Sequence, residues 1–359
     1  MVLIHEFGHF AMARILGIKV EEFAFGLPFT PPIFKFQKGE TQYAVYPLLF
    51  GGFVRLFGEE KREKGRKSFW DKRKRERATV IIAGVFMNVV LALTLFVFTY
   101  LSLGIPIGVV GKPTLIKIEE GSPAQRAGFQ EGDRIIEVEG RALIKEEEFG
   151  SLMKSWAGLP VNITVESGSI VPLFEGAVEK NLTRKTITVV PRVNPPQGQG
   201  ALGVGISTWP YVQTVQCQKL GIKCPFMAIG AGTRTTGVWM GRILDGLRQI
   251  GHSLSRGKSP EGVAGTVGIY QLTGMVADQG IWPLIELVAI LSVNLAVFNV
   301  LPIPALDGGR LLFIGLEAIL RKRISLVWEQ RINSWGMAFL LGLMVLISLQ
   351  DVIRLYLQS

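Results

Sequence analysis

Hydrophobic residues fall into a few long blocks, and the stretches between the blocks alternate in polarity or are charged. The clearest block covers residues 79–104, which include no charged side chain and many Val, Leu, Phe and Ala. Two more blocks, residues 281–301 and 332–350, contain a single charge, Glu286. Since a helix needs roughly 20 apolar residues to cross a bilayer, each block predicts a membrane span.

The first apolar block begins at the start of the chain and soon turns polar. Residues 1–18 include His5, Glu6, His9 and Arg14, which leaves too short an apolar run for a full span. We interpret the numbering as starting inside a first membrane helix, through truncation or a misplaced start codon. With that truncated helix, the sequence predicts a multi-span α-helical membrane protein with four spans.

Residues 23–57 do not follow a helical period. Alternating segments at residues 34–37 and 43–46 flank Lys38-Gly39-Glu40-Thr41, which is typical of a β-hairpin closed by a glycine turn. The aromatic content of this segment would suit a membrane-associated β-hairpin partly sunk in the lipid. A cytoplasmic hairpin packed on the helices fits the pattern equally well.

Residues 105–194 have the alternation and turn residues of a small α/β domain. Strands are predicted at residues 114–118, 134–138, 161–166 and 186–190, with a second helix near residues 145–156. The run from Gly121 to Ile135 closely resembles the G-S-P-A-x-x-A-G-x-x-x-G-D-x-I pattern of PDZ domains. That resemblance implies an inserted PDZ domain that binds peptide C-termini as an added strand, or one that acts only as a steric cover.

The remaining segments complete a four-part division of the chain. Residues 1–104 would form the first membrane half and residues 281–359 the second. Between the PDZ segment and the second half, residues 195–280 would contain a turn-rich linker and an amphipathic helix, residues 233–255, lying on the outer membrane surface.

The formal charge of +10 is concentrated beside the spans. Between Glu59 and Ala78 there are ten Lys and Arg against five acids, whereas residues 112–192 hold eleven basic and twelve acidic side chains. The positive-inside rule places the basic loop in the cytoplasm, next to membrane lipid, and residues 105–280 outside. No aromatic platform or reading helix accompanies the basic run, so nucleic acid is not an expected partner.

Only two cysteines occur, Cys217 and Cys224. They would form one bridge if this segment faces an oxidising compartment, and otherwise two unpaired thiols.

The candidate metal-binding and catalytic residues lie in residues 5–9, His-Glu-Phe-Gly-His. On a helix, positions i and i+4 share a face, so His5 and His9 can bind one Zn²⁺ while Glu6 acts beside them as the catalytic acid and base. His252 lies in the segment predicted to be outside, so a carboxylate must supply the third ligand. Asp307, which follows two prolines at the end of the third span, is the best candidate.

In this order, the His-Glu-Phe-Gly-His motif, the PDZ pattern and Leu306-Asp307-Gly308 resemble the site-2 protease family of intramembrane zinc metalloproteases, notably the bacterial regulator-of-sigma-E group. The resemblance implies His5, His9 and Asp307 as zinc ligands and Glu6 as the catalytic residue. It also implies substrate contacts by Asn88 and Asn299, although Val85 replaces a proline usual before Asn88. Interhelical hydrogen bonding is the alternative role for both asparagines.

The family's expected substrates are single-span membrane proteins already trimmed outside the membrane, such as anti-sigma factors or signal-peptide remnants. The expected location is the bacterial cytoplasmic (inner) membrane, with the chain crossing it several times. A catalytically inactive, membrane-tethered PDZ scaffold is the competing interpretation. Binding of about one zinc per chain would separate the two.

Overall fold

The computed structural model describes residues 1–59, 63–143, 146–256 and 265–358, so the predictions that include Lys61, Arg62 and Lys145 fall partly outside it. The chain divides into two compact units. The first, here called the helical unit, comprises Met1–Phe98, Ile229–Asp278 and Leu284–Ser359. The second, here called the sheet unit, comprises Thr99–Ala228 and Gln279–Pro283.

Three of the described helices are long and apolar enough to cross a membrane. The long helices, numbered in chain order, are α1 (Val2–Ile15), α2 (Lys74–Leu103), α6 (Cys224–Ser255), α7 (Thr266–Asp278), α8 (Ile281–Val300), α9 (Asp307–Leu320) and α10 (Leu326–Gln358). By length and composition, α2, α8 and Val327–Ile353 of α10 qualify as spans. Helix α1 has 14 residues, so the count of four spans stays a prediction.

A four-stranded sheet lies between α1 and α2 in the chain. Its strands are β1 (Val20–Leu27), β2 (Phe34–Lys38), β3 (Thr41–Val45) and β4 (Leu48–Leu56), in the order β2-β3-β1-β4. The predicted hairpin is confirmed as β2 and β3, which turn at Gly39 with φ of +64°. The sequence did not predict the parallel β1–β3 pairing or the outer position of β4.

Helices α1 and α2 share a common apolar core. Ala13 of α1, Val20 of β1, Leu56 of β4 and Val80 of α2 are all buried in one cluster, which also includes Ile314 of α9. Residues 307–320, for which the sequence predicted no helix, form α9. The core therefore holds α1, β4 and α9 together around residues 5–9, the segment that the sequence predicts to bind zinc.

The sheet unit contains six described strands. They are β5 (Ile105–Ile118), β6 (Arg134–Val138), β7 (Arg141–Ala142), β8 (Val161–Leu173), β9 (Gly176–Val189) and β10 (Val204–Val215), in the order β5-β10-β9-β8-β6-β7. Its short helices are α3 (Pro123–Ala127), α4 (Glu146–Ser155) and α5 (Cys217–Leu220). Strand β6 has the predicted bounds, whereas β5, β8 and β9 extend beyond theirs.

The boundary predicted at residue 194 needs correction. Strand β10 lies in the stretch predicted as a linker, yet it pairs antiparallel with β5 from Val204 opposite Ile118 to Val215 opposite Ile105. A strand that completes a sheet cannot be separated from it, so the sheet unit continues to Ala228. Cys217 and Cys224, whose state the sequence left open, form a disulfide in this extension.

The motif at residues 121–135 forms a capped helix followed by a strand. Ser122 accepts a hydrogen bond from the Gln125 amide at 3.1 Å and so caps α3, and Gly128 ends the helix in the left-handed conformation with φ of +89°. Behind them, buried residues of the strands, including Ile135 and Ile163, form one apolar core. The local sequence signals and the packing therefore agree in this part of the unit.

Glu166 of β8 supplies a pH-dependent contribution to the stability of the sheet unit. Burial alone would raise the pKa of Glu166, but hydrogen bonds from Arg184 at 2.8 Å and Lys112 at 3.1 Å lower it below the usual value. Because the folded pKa lies below the unfolded one, this stabilisation is present above the unfolded pKa and is lost as the pH falls through the folded pKa.

We therefore expect Glu166→Gln to increase hydrogen exchange in β8 and β9 of the full chain at neutral pH. The difference from the unmodified protein should shrink as the pH falls below about 4, near the unfolded pKa of Glu. Glu120→Gln, at an exposed position, is the matched control. A difference that stayed constant down to low pH would contradict this assignment.

Candidate metal centre

Helix α1 presents His5 and His9 on one face, as their spacing predicts. Their Nε2 atoms lie 3.1 Å apart, and the two rings meet edge to face. The Nδ1 of His9 donates a hydrogen bond to the Val80 carbonyl oxygen at 2.9 Å. Since the proton then resides on Nδ1, the Nε2 of neutral His9 keeps its lone pair for a metal ion.

Asp307 reaches the same point from the other end of the chain. Its Oδ2 atom lies 3.0 Å from His5 Nε2 and 3.2 Å from His9 Nε2. Asp307 is the first residue of α9, with Leu306 as the N-cap in extended conformation. A Cβ on Gly308 would collide with the carbonyl oxygen of Leu301, so only glycine allows the chain to turn this tightly behind the carboxylate.

These three side chains fit a metal ion. Their ligand atoms all lie within 4.8 Å of one another, and they form the one such group found among the described residues. Two nitrogens and one oxygen form the kind of donor set that catalytic zinc uses, with a fourth position left open for reaction. Lone pairs on three atoms this close together repel one another unless a cation lies between them. The donor set therefore suits Zn²⁺, as the sequence predicted.

Glu6 lies beside this cluster and lines the same cavity, which has a volume of about 260 Å³. The floor of the cavity includes Phe53 and Val54 of β4. A Cβ on Gly52 would lie 3.4 Å from Cγ of Glu6, so β4 runs directly past the Glu6 carboxylate. The carboxyl group of Glu6, the three candidate ligand atoms and strand β4 therefore surround the same cavity.

Peptidase family M50 has a family model that matches residues 1–343 of the chain. The chain belongs to this family. The match confirms the resemblance to site-2 proteases that the motifs indicate, and it makes the chain an M50 metalloprotease for which zinc is the expected cofactor.

Full-length relatives agree with the family assignment. The M50 chain is 34% identical to a Clostridium perfringens protein with a provisional zinc metalloprotease name, over 98% of this chain and 95% of the relative. It is 28% identical to zinc metalloprotease RasP of Geobacillus kaustophilus, over 99% of this chain and 96% of the relative. The similarity therefore extends through both units.

Asn88 of the M50 chain lies behind the metal cluster. Its side chain is fully buried, and Nδ2 lies 3.2 Å from Nδ1 of His5, while Oδ1 has no hydrogen-bond partner among the described residues. If the amide turns by 180°, Oδ1 accepts a hydrogen bond from His5 Nδ1–H, which satisfies both groups and leaves Nε2 free for zinc. The predicted substrate contact of Asn88 stays a prediction.

We expect Asn88→Ala to weaken zinc binding by roughly 10- to 100-fold, because the imidazole of His5 loses the group that orients it. Asn88→Asp, which keeps an acceptor at this position, should restore most of the affinity. Zinc content after dialysis against graded chelator concentrations measures this effect. An Asn88→Ala variant with full zinc affinity and a raised KM would instead support the predicted substrate contact.

Asn299 of α8 also approaches the cluster. Its Nδ2 atom lies 3.4 Å from Nε2 of His5, the atom that would bind zinc, and its side chain is buried. The predicted substrate contact of Asn299 stays a prediction. His252, the other histidine, lies exposed on α6 and is not part of the cluster.

Sequence reasoning missed an ion pair at the edge of the cavity of this M50 protein. Arg310 of α9 pairs with Glu59, which follows β4, and both line the cavity that contains Glu6. The only available signal was the position of Arg310 three residues after Asp307. That position places both side chains on one face of a helix, but the sequence predicted no helix there.

Two glycines allow α1 and α2 to approach closely at the cluster. A Cβ on Gly8 would collide with the Ala83 carbonyl oxygen, and a Cβ on Gly84 would collide with Nε2 of His9 and lie 2.9 Å from Cε1 of His5. Small residues at such crossings let helix backbones come together. The zinc histidines therefore pack directly on the backbone of α2.

We expect Gly84→Ala to reduce zinc affinity by at least about tenfold, because the added methyl group must displace a metal ligand and overpacking itself costs about 1–3 kcal/mol. Gly342→Ala, on α10 with nothing within 4 Å of the added Cβ, is the control. Zinc content and proteolytic activity should fall together in Gly84→Ala and stay unchanged in Gly342→Ala. Full zinc affinity in Gly84→Ala would contradict this packing.

Proposed function

We propose that this M50 protease hydrolyses a peptide bond within or near the transmembrane segment of single-span membrane proteins, as a step of regulated intramembrane proteolysis. The observation that carries the proposal is the convergence of His5, His9 and Asp307 within 4.8 Å, in a chain with three helices suited to a membrane. A complete ligand set also disfavours the alternative of an inactive PDZ scaffold.

The roles of the site residues follow from their positions. When bound, zinc supplies Lewis-acid chemistry that polarises the scissile carbonyl and makes water a better nucleophile near neutral pH. Glu6 takes the proton of the attacking water and passes it to the leaving nitrogen. Asn299 donates its amide N–H to the substrate backbone, and Asn88 holds His5 in the orientation that binding requires.

The substrate segment must be extended before attack, because a helix hides its peptide carbonyls. Strand β4 is an outer strand of its sheet, and Gly52 in this strand lies beside Glu6. A substrate that adds to β4 as a further strand would gain backbone hydrogen bonds there. Its scissile bond would then pass the carboxylate of Glu6.

We propose that the basic loop before α2 lies in the cytoplasm and that the sheet unit lies outside the inner membrane of a bacterium. The positive-inside rule supports this orientation. The Cys217–Cys224 disulfide of the sheet unit supports it independently, because disulfides persist mainly in oxidising compartments outside the cytoplasm.

The sheet unit has a groove suited to a peptide C-terminus, in keeping with the predicted PDZ domain. Among the described pairings, the Val204–Ile206 part of β10 pairs with β5 on one side only. On its other side, a cavity of about 460 Å³ lies between this edge and Phe149 and Met153 of α4, with Arg192 in its wall. A peptide could add to the free edge and direct its terminal carboxylate toward the guanidinium.

The test uses a single-span membrane protein in two forms, one with its folded outer domain and one trimmed close to the membrane, each co-expressed with the full chain. We expect cleavage of the trimmed form and no cleavage with His5→Ala, whereas His252→Ala keeps activity. Cleavage of soluble unfolded protein at an equal rate would contradict an intramembrane substrate. A zinc-loaded chain that cut neither form of several such proteins would favour the scaffold.

A further inference from the structure

A cavity with a volume of about 680 Å³ lies at the C-terminal end of α1 in the helical unit. Arg14 and Lys19 line it from the end of α1 and the start of β1, and Lys38 and Gly39 line it from the turn between β2 and β3. None of its lining residues belongs to the cavity at the metal cluster. The mechanism proposed above leaves this cavity without a function.

The walls of this cavity carry an excess of positive charge. Arg14, Lys19, Lys38 and Lys67 line it together with a single acid, Glu40. Lys67 donates to both carboxylate oxygens of Glu40, at 2.8 and 2.9 Å. Among the described residues, no ion pair is found for the other three cations, so four positive charges share this space with the one negative charge of Glu40.

A further cation contacts the end of α1. Lys72 donates a hydrogen bond to the carbonyl oxygen of Leu16 at 2.7 Å. The positive field of the cavity is evident at Glu40, whose pKa is lowered by its hydrogen bond from Lys67 and further by Lys19 and Arg14. A further anion bound in this cavity would be attracted by all of these cations.

An aromatic surface continues from this cavity to the outside of the sheet. Phe10 and Tyr43 line the cavity, and the ring of Tyr43 stacks on that of Phe36 with centroids 5.0 Å apart. On β2, Phe34 and Phe36 are 57% and 47% exposed. A cationic cavity that opens onto exposed aromatic rings matches a molecule with an anionic head and an apolar body, and aromatic side chains favour the membrane interface.

We propose that this cavity binds the headgroup of an anionic phospholipid, with its phosphate between Arg14, Lys19 and Lys38 and its acyl chains along the aromatic surface of β2. Its volume lies within the range of small-molecule sites and exceeds that of a bare phosphate ion. Basic groups beside a span are the usual partners of anionic headgroups. Lipid binding at this site does not depend on the protease reaction, so we expect it also in a chain with an inactive metal centre.

The test measures lipid retained by the full-length chain after extraction from nanodiscs, using native mass spectrometry. We expect phosphatidylglycerol to be retained in preference to phosphatidylcholine. Lys19→Gln combined with Lys38→Gln should lower the affinity for phosphatidylglycerol by roughly 25-fold, because each basic group near the headgroup contributes about a fivefold change. Lys219→Gln combined with Lys223→Gln, at exposed positions of the sheet unit, removes the same charge and should leave retention unchanged.

A second pair of variants separates loss of charge from loss of fold. Lys19→Arg combined with Lys38→Arg keeps both charges and should retain the lipid. Equal retention of phosphatidylcholine, or equal losses in the two glutamine pairs, would overturn the proposal. Inorganic phosphate or a soluble acidic peptide that displaced phosphatidylglycerol at matching concentration would also overturn it, because the ligand would then be a free anion or a protein segment.

Discussion

An Asp307→Ala variant will lose zinc and, with it, proteolytic activity. The carboxylate supplies the oxygen of the ligand set, at 3.0 and 3.2 Å from the two histidine nitrogens. Loss of a group that merely orients a ligand costs about 10- to 100-fold in affinity, so we expect loss of the ligand itself to cost more than about 100-fold. Metal analysis of the purified full chain, alongside cleavage of a trimmed single-span substrate, measures both effects.

Asp278→Ala is the matched control for this experiment, because Asp278 is exposed near the end of α7 and lies outside the cluster. It should keep one zinc per chain and full activity. If Asp307→Ala kept its zinc through dialysis against chelator, Asp307 would not be a ligand. In that case another carboxylate would have to complete the site.

A Glu6→Gln variant will keep its zinc but lose catalysis, whereas Asp307→Ala loses both. Glu6 lines the cavity of the cluster but is not one of the three converging ligands. The amide has nearly the shape of the carboxylate but cannot accept and return a proton. We expect the cleavage rate to fall by about 10²- to 10⁴-fold, with zinc content unchanged, and uncut substrate to accumulate on the variant.

Glu21→Gln, on β1 and outside the cavity, controls for the change of charge and should cleave normally. If Glu6→Gln lost zinc together with activity, Glu6 would act in metal binding rather than in proton transfer. Substantial cleavage by a zinc-loaded Glu6→Gln variant would remove Glu6 from the mechanism.

The candidate site was predictable from the sequence to an unusual extent. The histidine pair follows from helix geometry alone, because residues i and i+4 share a face. Asp307 is separated from His5 by about 300 positions. It could be predicted because a charged carboxylate at the proline-interrupted end of a membrane helix is energetically costly and is therefore a candidate functional residue. The position of Asn88 behind His5 was not predictable. A polar residue in a membrane span gives the same sequence signal whether its side chain faces a substrate or a metal-binding histidine.

The fold was harder to predict where local signals oppose long-range pairing. Pro210 and the glycines at residues 203 and 205 favour a turn or linker, yet β10 forms there because β5 supplies a partner along its whole length. Similarly, Gly308 and Gly309 favour a turn, whereas close approach to the backbone at Leu301 and Ile303 requires glycine in the first turn of α9. In both places, contacts with residues distant in the chain decide the outcome.

The start of α9 at Asp307 has an electrostatic consequence for the reaction. The peptide dipoles of a helix concentrate partial positive charge at its first turn, equivalent to about half an elementary charge. The Asp307 carboxylate lies in that field. The field draws electron density of the carboxylate toward the helix, so that less is available to a cation that the carboxylate faces. If zinc is bound there, a ligand polarised in this way would leave the ion a stronger electron acceptor, and the backbone of α9 itself would increase the electrophilic power available at the scissile bond.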